Sequence, residues 1–475
     1  MKQKMSKFLT DSKPVLKKLI EELSKEFEYV SILGTDSKGK SYSVRKTAVS
    51  VGDSFSTERG FVLRVYNGLG YSEYSFDVID GENIKKEIRR IAKTDIEFLK
   101  SKNLERIKYP VIEEEALTKS FYAEVKESFD SMNDEQKIKR LESVMKKGFD
   151  YCPEMIDFQV RYEEVSVCKI FLSQKKDLEQ AYAYAISYLI PYLKKGEAVK
   201  YSYQAFSGNC GMEILHKVED NIKKSIDAAK ELLDAERIKP GVYDIICKQN
   251  VTGLIAHEAF GHGVEMDMFV KNRAKAKEFI GKKVASEITD MHDGAAAAEQ
   301  VSSYLFDDEG VLAQDTQIIE KGILKRGICD TLSALSLGIK PTGNGKRESF
   351  ERKAYTRMTN TFFSTKNSSL DEMIKSVDFG YLLDGYFSGM EDPKNWGIQC
   401  AVEKGYEIKD GKLTGKIVGP IFLTGYVPEL LSSISMISGE EDFELEGSGF
   451  CGKGYKEYVR TSAGGGYIKA RGRLG

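Results

Sequence analysis

Two of the four histidines of the chain fall in one short run, Ala256-His257-Glu258-Ala259-Phe260-Gly261-His262-Gly263. Histidine is the commonest metal-ligating side chain. A glutamate beside a ligating histidine is what a helical zinc-peptidase motif uses to activate water. That motif spaces its histidines at i and i+4, whereas here they stand at i and i+5. On a regular helix of about 100° per residue, i and i+4 differ by roughly 40° and i and i+5 by roughly 140°. His257 and His262 would therefore point apart. They share one ion only if the helix widens to π geometry, a distortion concentrated at functional sites, or ends between them, where Gly261 permits a break. The alternative is two unrelated histidines near a helix end.

Two histidines do not complete a catalytic zinc site, which takes three protein ligands and one open position. Glu265 and Asp267 follow closely. Each could ligate, accept a hydrogen bond from a ligating imidazole, or be an ordinary solvated carboxylate. Cys451, in Gly447-Ser448-Gly449-Phe450-Cys451-Gly452-Lys453-Gly454, offers a thiolate, a strong zinc ligand. A lone free cysteine is more often just a buried thiol. Gly452 and Lys453 beside it are candidates for supporting the site or touching substrate. Residue types alone leave these choices open. The glycine-rich run lacks a Ser or Thr after its lysine, so it is no phosphate loop. Gly464-Gly465-Gly466 has no strand–helix context for a dinucleotide. His216 and His292 have no motif around them and are expected to be structural or surface residues.

The elements that must position these residues follow from pattern. A chain of 475 residues suggests two or three domains. Charged residues are 30% and hydrophobic ones 41%, and the net charge of −2 gives no electrostatic case for nucleic acid or an anionic membrane. The basic amino end precedes no apolar stretch of signal type, and no apolar run is long enough for a bilayer, so the cytoplasm is expected. The cysteines at 152, 168, 210, 247, 329, 400 and 451 are scattered without a CxxC pair, as reduced thiols would be.

Apolar spacing predicts helices over 14–27, 82–100, 134–149 and 213–234. Glycine-punctuated strands are predicted from 29 to 80 and strands again over 155–173. The Pro-Gly loop at 237–241 sets a boundary between domains 1–238 and 239–475. The second domain opens with a strand at 242–247. Asn250 is then expected to cap a helix running into the histidine run. Residues 295–298, four alanines, are expected to be helical. After Gly310 the pattern is mostly strand and turn, with helices at 370–375 and 428–434 and an Asp410-Gly411 hairpin. The expected fold is α+β: antiparallel strands with helices first, then a β-rich domain carrying the metal-site helix.

The run from His257 to Asp267 resembles the signature of the TldD/PmbA family of metalloproteases, and of its TldD-type members in particular. Phe306-Asp307-Asp308-Glu309-Gly310, Thr342-Gly343-Asn344-Gly345, Arg357-Met358-Thr359-Asn360-Thr361 and Phe450-Cys451-Gly452-Lys453 are similar to further family blocks, in the family's order across 240–455. The first half is similar more loosely, around 59–65. The resemblance implies a peptidase with one zinc per subunit on His257, His262 and Cys451, and Glu258 as general base. It implies unfolded or short peptides as substrates, including modified peptide precursors. It also implies a dimer enclosing a chamber, either a homodimer or a heterodimer with a related subunit lacking the histidine motif, with 1–238 as assembly domain and chamber wall. Neither nucleic acid nor membrane is an expected partner. The tail departs from the family: after the cysteine block stands Gly454-Tyr455-Lys456-Glu457-Tyr458 in place of a Gly-Gln and GxP-type continuation. A zinc amidase acting on a non-peptide would use the same water activation. A non-enzymatic assembly protein would need a closed, four-ligand structural site.

Overall fold

The computed structural model describes residues 1–104, 108–455 and 457–475; Lys456 of the divergent tail lies outside the described residues. The first half is built on one nine-stranded sheet with the order Tyr71–Phe76, Glu58–Tyr66, Val30–Arg45, Asp157–Ser173, Lys176–Lys195, Leu117–Tyr122, and three short strands off this path. All neighbours are antiparallel except the last pair. Helices Lys7–Leu23 and Gly81–Ser101 share one core with the sheet around Leu16, Leu63, Ile88 and Ile170. Asp134–Tyr151 and Ile222–Leu233 share another around Tyr42, Val144, Phe158 and Ile226.

Three local expectations change, and one strand is new. The first helix starts at Lys7, not at 14, because Ser6 caps it: the Leu9 N–H donates to its hydroxyl at 3.1 Å. Pro14 sits inside this helix at an exposed position. The expected helix over 213–234 is two, Ile214–Asp220 and Ile222–Leu233. They break at Asn221, whose amide donates to the Lys217 carbonyl at 2.8 Å, a side-chain bond that competes with the helical ladder. Residues 295–298 form a turn, not a helix. Four residues cannot repay helix nucleation, and the Ala296 N–H donates instead to the Gln314 carbonyl. Strand Lys176–Lys195 has no counterpart in the sequence reading. Its residues 180–187 are all buried, so it shows none of the alternation that marks a half-buried strand.

The second half holds a seven-stranded sheet, containing Gly241–Cys247, Phe379–Asp392, Gly397–Lys409, Ile421–Tyr426 and Ile468–Leu474. Beside it is a six-stranded sheet, containing Met291–Asp293, Thr316–Glu320, Asn360–Phe363, Ser462–Gly465 and Glu444–Glu446. Asp410 and Gly411, both at positive φ, turn the hairpin in which Lys409 faces Lys412, as the type I′ signature requires. One core joins the two sheets. Ile245, Leu383 and Ile468 come from the first sheet and Met291, Ile319 and Phe363 from the second, and Ile255, Ala259, Phe260 and Val264 of the histidine segment are buried among them. Burial of a side chain such as Phe260 is worth about 1.5–3 kcal/mol, so the segment is held by packing on every side. The fold is α+β. Among the described residues no helix is long and apolar enough to cross a membrane.

Candidate metal centre

The segment starts as α-helix Gln249–Ile255. Lys248, not Asn250, is its N-cap residue, and no side chain caps it. Asn250 lies inside the first turn, where its carbonyl oxygen accepts from the Val251 N–H at 2.7 Å and from the Gly385 N–H at 3.3 Å. It ties the helix start to strand Phe379–Asp392. The helix then widens: Ala256–Gly261 is π-helical, and the His262 N–H donates to the His257 carbonyl. That bond is the i→i+5 bond of a π turn, so the five-residue spacing becomes one turn and both imidazoles face one side. Their ring centroids are 5.0 Å apart at 86°.

Gly261 does not act as expected. Its φ of −64° and ψ of −57° are ordinary helical angles that any residue adopts. The need is for space, because a Cβ there would lie 2.1 Å from the Met358 sulfur. A close approach also seats the helix on the second sheet: a Cβ on Gly253 would lie 2.6 Å from the Gly464 nitrogen.

Cys451 arrives from the far end of the chain. It lies in strand Phe450–Lys453, paired antiparallel with Glu457–Arg460. The fully buried Arg357 donates to the Cys451 carbonyl and, at 3.2 Å, to the Glu457 carbonyl, which pins this hairpin. Cys451 is 3% exposed. Its sulfur is 3.4 Å from His262 Nε2, and one donor atom each of His257, His262 and Cys451 lie within 4.8 Å of one another. Burial pushes the thiol pKa up, but the His262 charge and hydrogen bonds from both histidines outweigh it, so it sits well below the ordinary thiol value. Burial likewise lowers His262, yet Cys451 and Glu265 lift it well above the ordinary imidazole value. The cysteine is held as the ligand-competent thiolate.

Glu265 and Asp267 are engaged by His262, Lys271 and Lys453. The carboxylate of Glu265, 2% exposed, lies 3.1 Å from His262 Nδ1 and 3.1 Å from Lys453 Nζ. Burial raises its pKa, but Lys453 and His262 bring it down to about 2. A carboxylate behind an imidazole holds the Nδ1 proton and turns Nε2 forward. Lys453 donates to Asp267 at 2.7 Å and to the Thr356 carbonyl at 2.9 Å, so it balances the charge of both carboxylates from a largely shielded position. A Cβ on Gly452 would meet the Tyr458 ring at 3.0 Å; this glycine lets the hairpin close.

Glu258 is 8% exposed and lines, with His257, a cleft of about 410 Å³ walled by Leu254, Tyr386, Gly389 and Phe450. A Cβ on Gly389 would lie 2.3 Å from Glu258 Cγ, so this glycine makes the carboxylate's place. Strand Phe379–Asp392 pairs with Gly241–Cys247 only over 380–383. Among the described residues its 386–389 stretch has no strand on that side as it passes the cleft. Close by, both oxygens of Glu391 lack a hydrogen-bond partner among the described residues. Burial holds its pKa well above the carboxylate range, with the Glu258 charge adding to it. Gly389, Glu391 and the pinning role of Arg357 have no local signature that sequence reasoning could use. His216 bonds to Glu127 at the surface, and His292 bonds to Asp315 and stacks on Phe362.

The model of the PmbA/TldA metallopeptidase C-terminal domain matches residues 240–472. A metalloprotease of Methanocaldococcus jannaschii is 30% identical over 315 residues, covering 65% of this chain and 68% of that protein. This chain belongs to the TldD/PmbA family. A metalloprotease TldD homologue of Buchnera aphidicola is 31% identical over 300 residues, 62% of this chain. The match spans 61% of that relative's length. The crystal structure of TldE from Thermococcus kodakarensis superposes with a TM-score of 0.70 at 19% identity, over 97% of this chain and 99% of that one, which establishes the shared TldD/PmbA fold. The stretch matched by the family model contains His257, Glu258, His262 and Cys451. Both sequence relatives carry the name metalloprotease.

Proposed function

We propose that this chain is a zinc-dependent peptidase that hydrolyses peptide bonds in unfolded or short peptides. The observation that carries the reading is the convergence of three donors, two of them 189 residues apart in sequence, to within 4.8 Å beside the carboxylate of Glu258. Two imidazoles and a thiolate are a donor set that zinc takes readily, and three protein donors are the number a catalytic site uses. Each subunit then holds one zinc on His257, His262 and Cys451. When bound, zinc supplies a Lewis acid that polarises the scissile carbonyl and the attacking water. Glu258 accepts a proton from that water and returns it to the leaving amine nitrogen. Glu265 keeps the His262 Nδ1 proton in place, and Lys453 balances the charge of Glu265 and Asp267. Leu254, Tyr386 and Phe450 give the cleft its apolar wall. The open edge of strand Phe379–Asp392 is available to pair with an extended peptide main chain.

In this reading residues 239–475 are the metallopeptidase domain, and residues 1–238 form the wall of a chamber shared with a second subunit. That subunit is another copy or a related chain without the histidine motif. The seven free cysteines fit a reducing compartment such as the cytoplasm. Incubation with unfolded peptides, with and without a chelator, tests the function. Cleavage that stops on chelation and returns with zinc is the expected result. Cleavage indifferent to chelator, or none with zinc restored, contradicts it.

A further inference from the structure

The mechanism leaves one carboxyl group of the metal cleft unused. Besides His257, the charged residues lining the cleft are Glu258 and Glu446, and no lysine or arginine is among them. Glu446 stands on strand Glu444–Glu446, opposite Ala463. The only hydrogen-bond partner of its carboxylate among the described residues is the Ser448 hydroxyl, and it forms no ion pair there. Arg460 is engaged with Glu163 and with the Ser448 carbonyl. Burial raises the Glu446 pKa, against the pull of the Ser448 hydroxyl, which is the signature of a carboxyl short of a counter-charge.

Its surroundings are aromatic. Tyr203 and Tyr386 stand edge to face, with centroids 6.4 Å apart, and after burial the Glu446 charge is the largest cause holding both phenols above their ordinary range. The Tyr188 hydroxyl donates to the Ser448 carbonyl at 2.9 Å. Glu446, Tyr203 and Tyr386 also line a second cavity of about 540 Å³, so they stand where the metal cleft opens into further space. Lys217, Lys224 and Lys248 line that second cavity but not the metal cleft. A half-buried carboxylate that faces a cleft with no cation of its own favours one from the ligand, and tyrosine faces attract cations.

We propose that Glu446, with the rings of Tyr203 and Tyr386, forms a subsite of the metal cleft that takes a cationic group of the peptide, an ammonium or a guanidinium. The identity of the ligand as a peptide rests on the peptidase reading; the charge preference rests on the cavity itself. The cation comes from a lysine or arginine side chain or from a free amino terminus.

Calorimetric titration of the zinc-loaded full chain, carrying Glu258→Gln so that the peptide persists, tests this. The probes are one short lysine-containing peptide, its norleucine version, and both again with an acetylated amino terminus. Losing the recognised charge should weaken binding about tenfold or more. Loss on acetylation alone assigns the amino terminus, and loss on the norleucine change alone assigns the side chain. Adding Glu446→Gln should abolish the difference. Equal binding of charged and neutralised peptides overturns the proposal and needs no variant at Glu446. A difference that persists undiminished in a folded Glu446→Gln protein overturns it too. Cleavage is read separately on the unmodified chain with the neutral peptide. Cleavage without charge discrimination sinks the subsite alone; discrimination without cleavage sinks the peptidase reading alone.

Discussion

Glu258 separates chemistry from structure. It follows a proposed ligand in the π-helical turn, so its side chain leaves the helix in a different direction from that of His257, beside Gly389 in the cleft wall. Glu258→Gln keeps the shape and removes the base. Peptide cleavage should fall by about 10² to 10⁴, while zinc content and melting temperature stay at wild-type values. Activity within a few-fold of wild type in a zinc-replete variant would mean the base lies elsewhere. The ligands give the complementary result. His257→Ala, His262→Ala and Cys451→Ala should each lose the single zinc, measured by metal analysis after dialysis. Retention of the full complement by Cys451→Ala would exclude the thiol and return Glu265 to the ligand set, against the 3.1 Å contacts that now tie Glu265 to His262 and Lys453.

At the scale of the element, the π segment works because its neighbours leave it room. Gly261 has helical angles, so adding a methyl group costs nothing in backbone strain, but it would put a Cβ 2.1 Å from the Met358 sulfur. Overpacking of this kind costs about 1–3 kcal/mol. Gly261→Ala should therefore lower the denaturation midpoint and weaken zinc binding, since His262 is the next residue. Shortening the neighbour in a Gly261→Ala, Met358→Ala double variant should restore zinc affinity if space is the cause. Failure of the second change to rescue would point back to conformational freedom at the glycine. Met358 stands in the same block as Arg357, which pins the Cys451 hairpin, so one short stretch shapes both arms of the metal site.

Across the whole molecule, ion pairs tie the first sheet to the second half. Arg64 reaches Glu309 at 2.7 Å, and Arg347 donates to Glu73 at 3.0 Å. Glu309 belongs to the Phe306–Gly310 block, and Gln180 of the first half donates to the Phe306 carbonyl at 3.0 Å. Burial raises the Glu73 pKa, but Arg347 and Arg64 together hold it well below its ordinary value of 4.5. A carboxylate with a depressed folded-state pKa contributes stability that is fully present above the unfolded value. That stability is lost as pH falls from 4.5 through the folded value. Glu73→Gln should thus destabilise the protein at neutral pH and flatten the fall in melting temperature on acidification; an unchanged acid slope would remove Glu73 from the account. Assembly belongs to this scale as well. The chain should sediment as a dimer or larger at micromolar concentration, and a fully active monomer would contradict the shared chamber.

The sequence by itself determined the chemistry on offer: a glutamate between two histidines, a spacing that lets them meet only through a π turn or a helix end, and an Asp-Gly hairpin. These depend on residues no more than about five apart, where backbone geometry alone sets direction. The α+β pattern was legible for the same reason wherever one face of an element is polar. Pattern fell silent at strand Lys176–Lys195, because residues 180–187 are buried throughout, and it missed the break at Asn221, which one side-chain bond makes. Only the tertiary structure decided that Cys451 and not Glu265 stands at His262 Nε2, that Gly261 and Gly389 are needed for space, and that Glu446 faces the cleft without a cation. Those facts are distances between segments up to some 189 residues apart. The packing of two sheets round one buried helix sets them, and no local property of the chain encodes them.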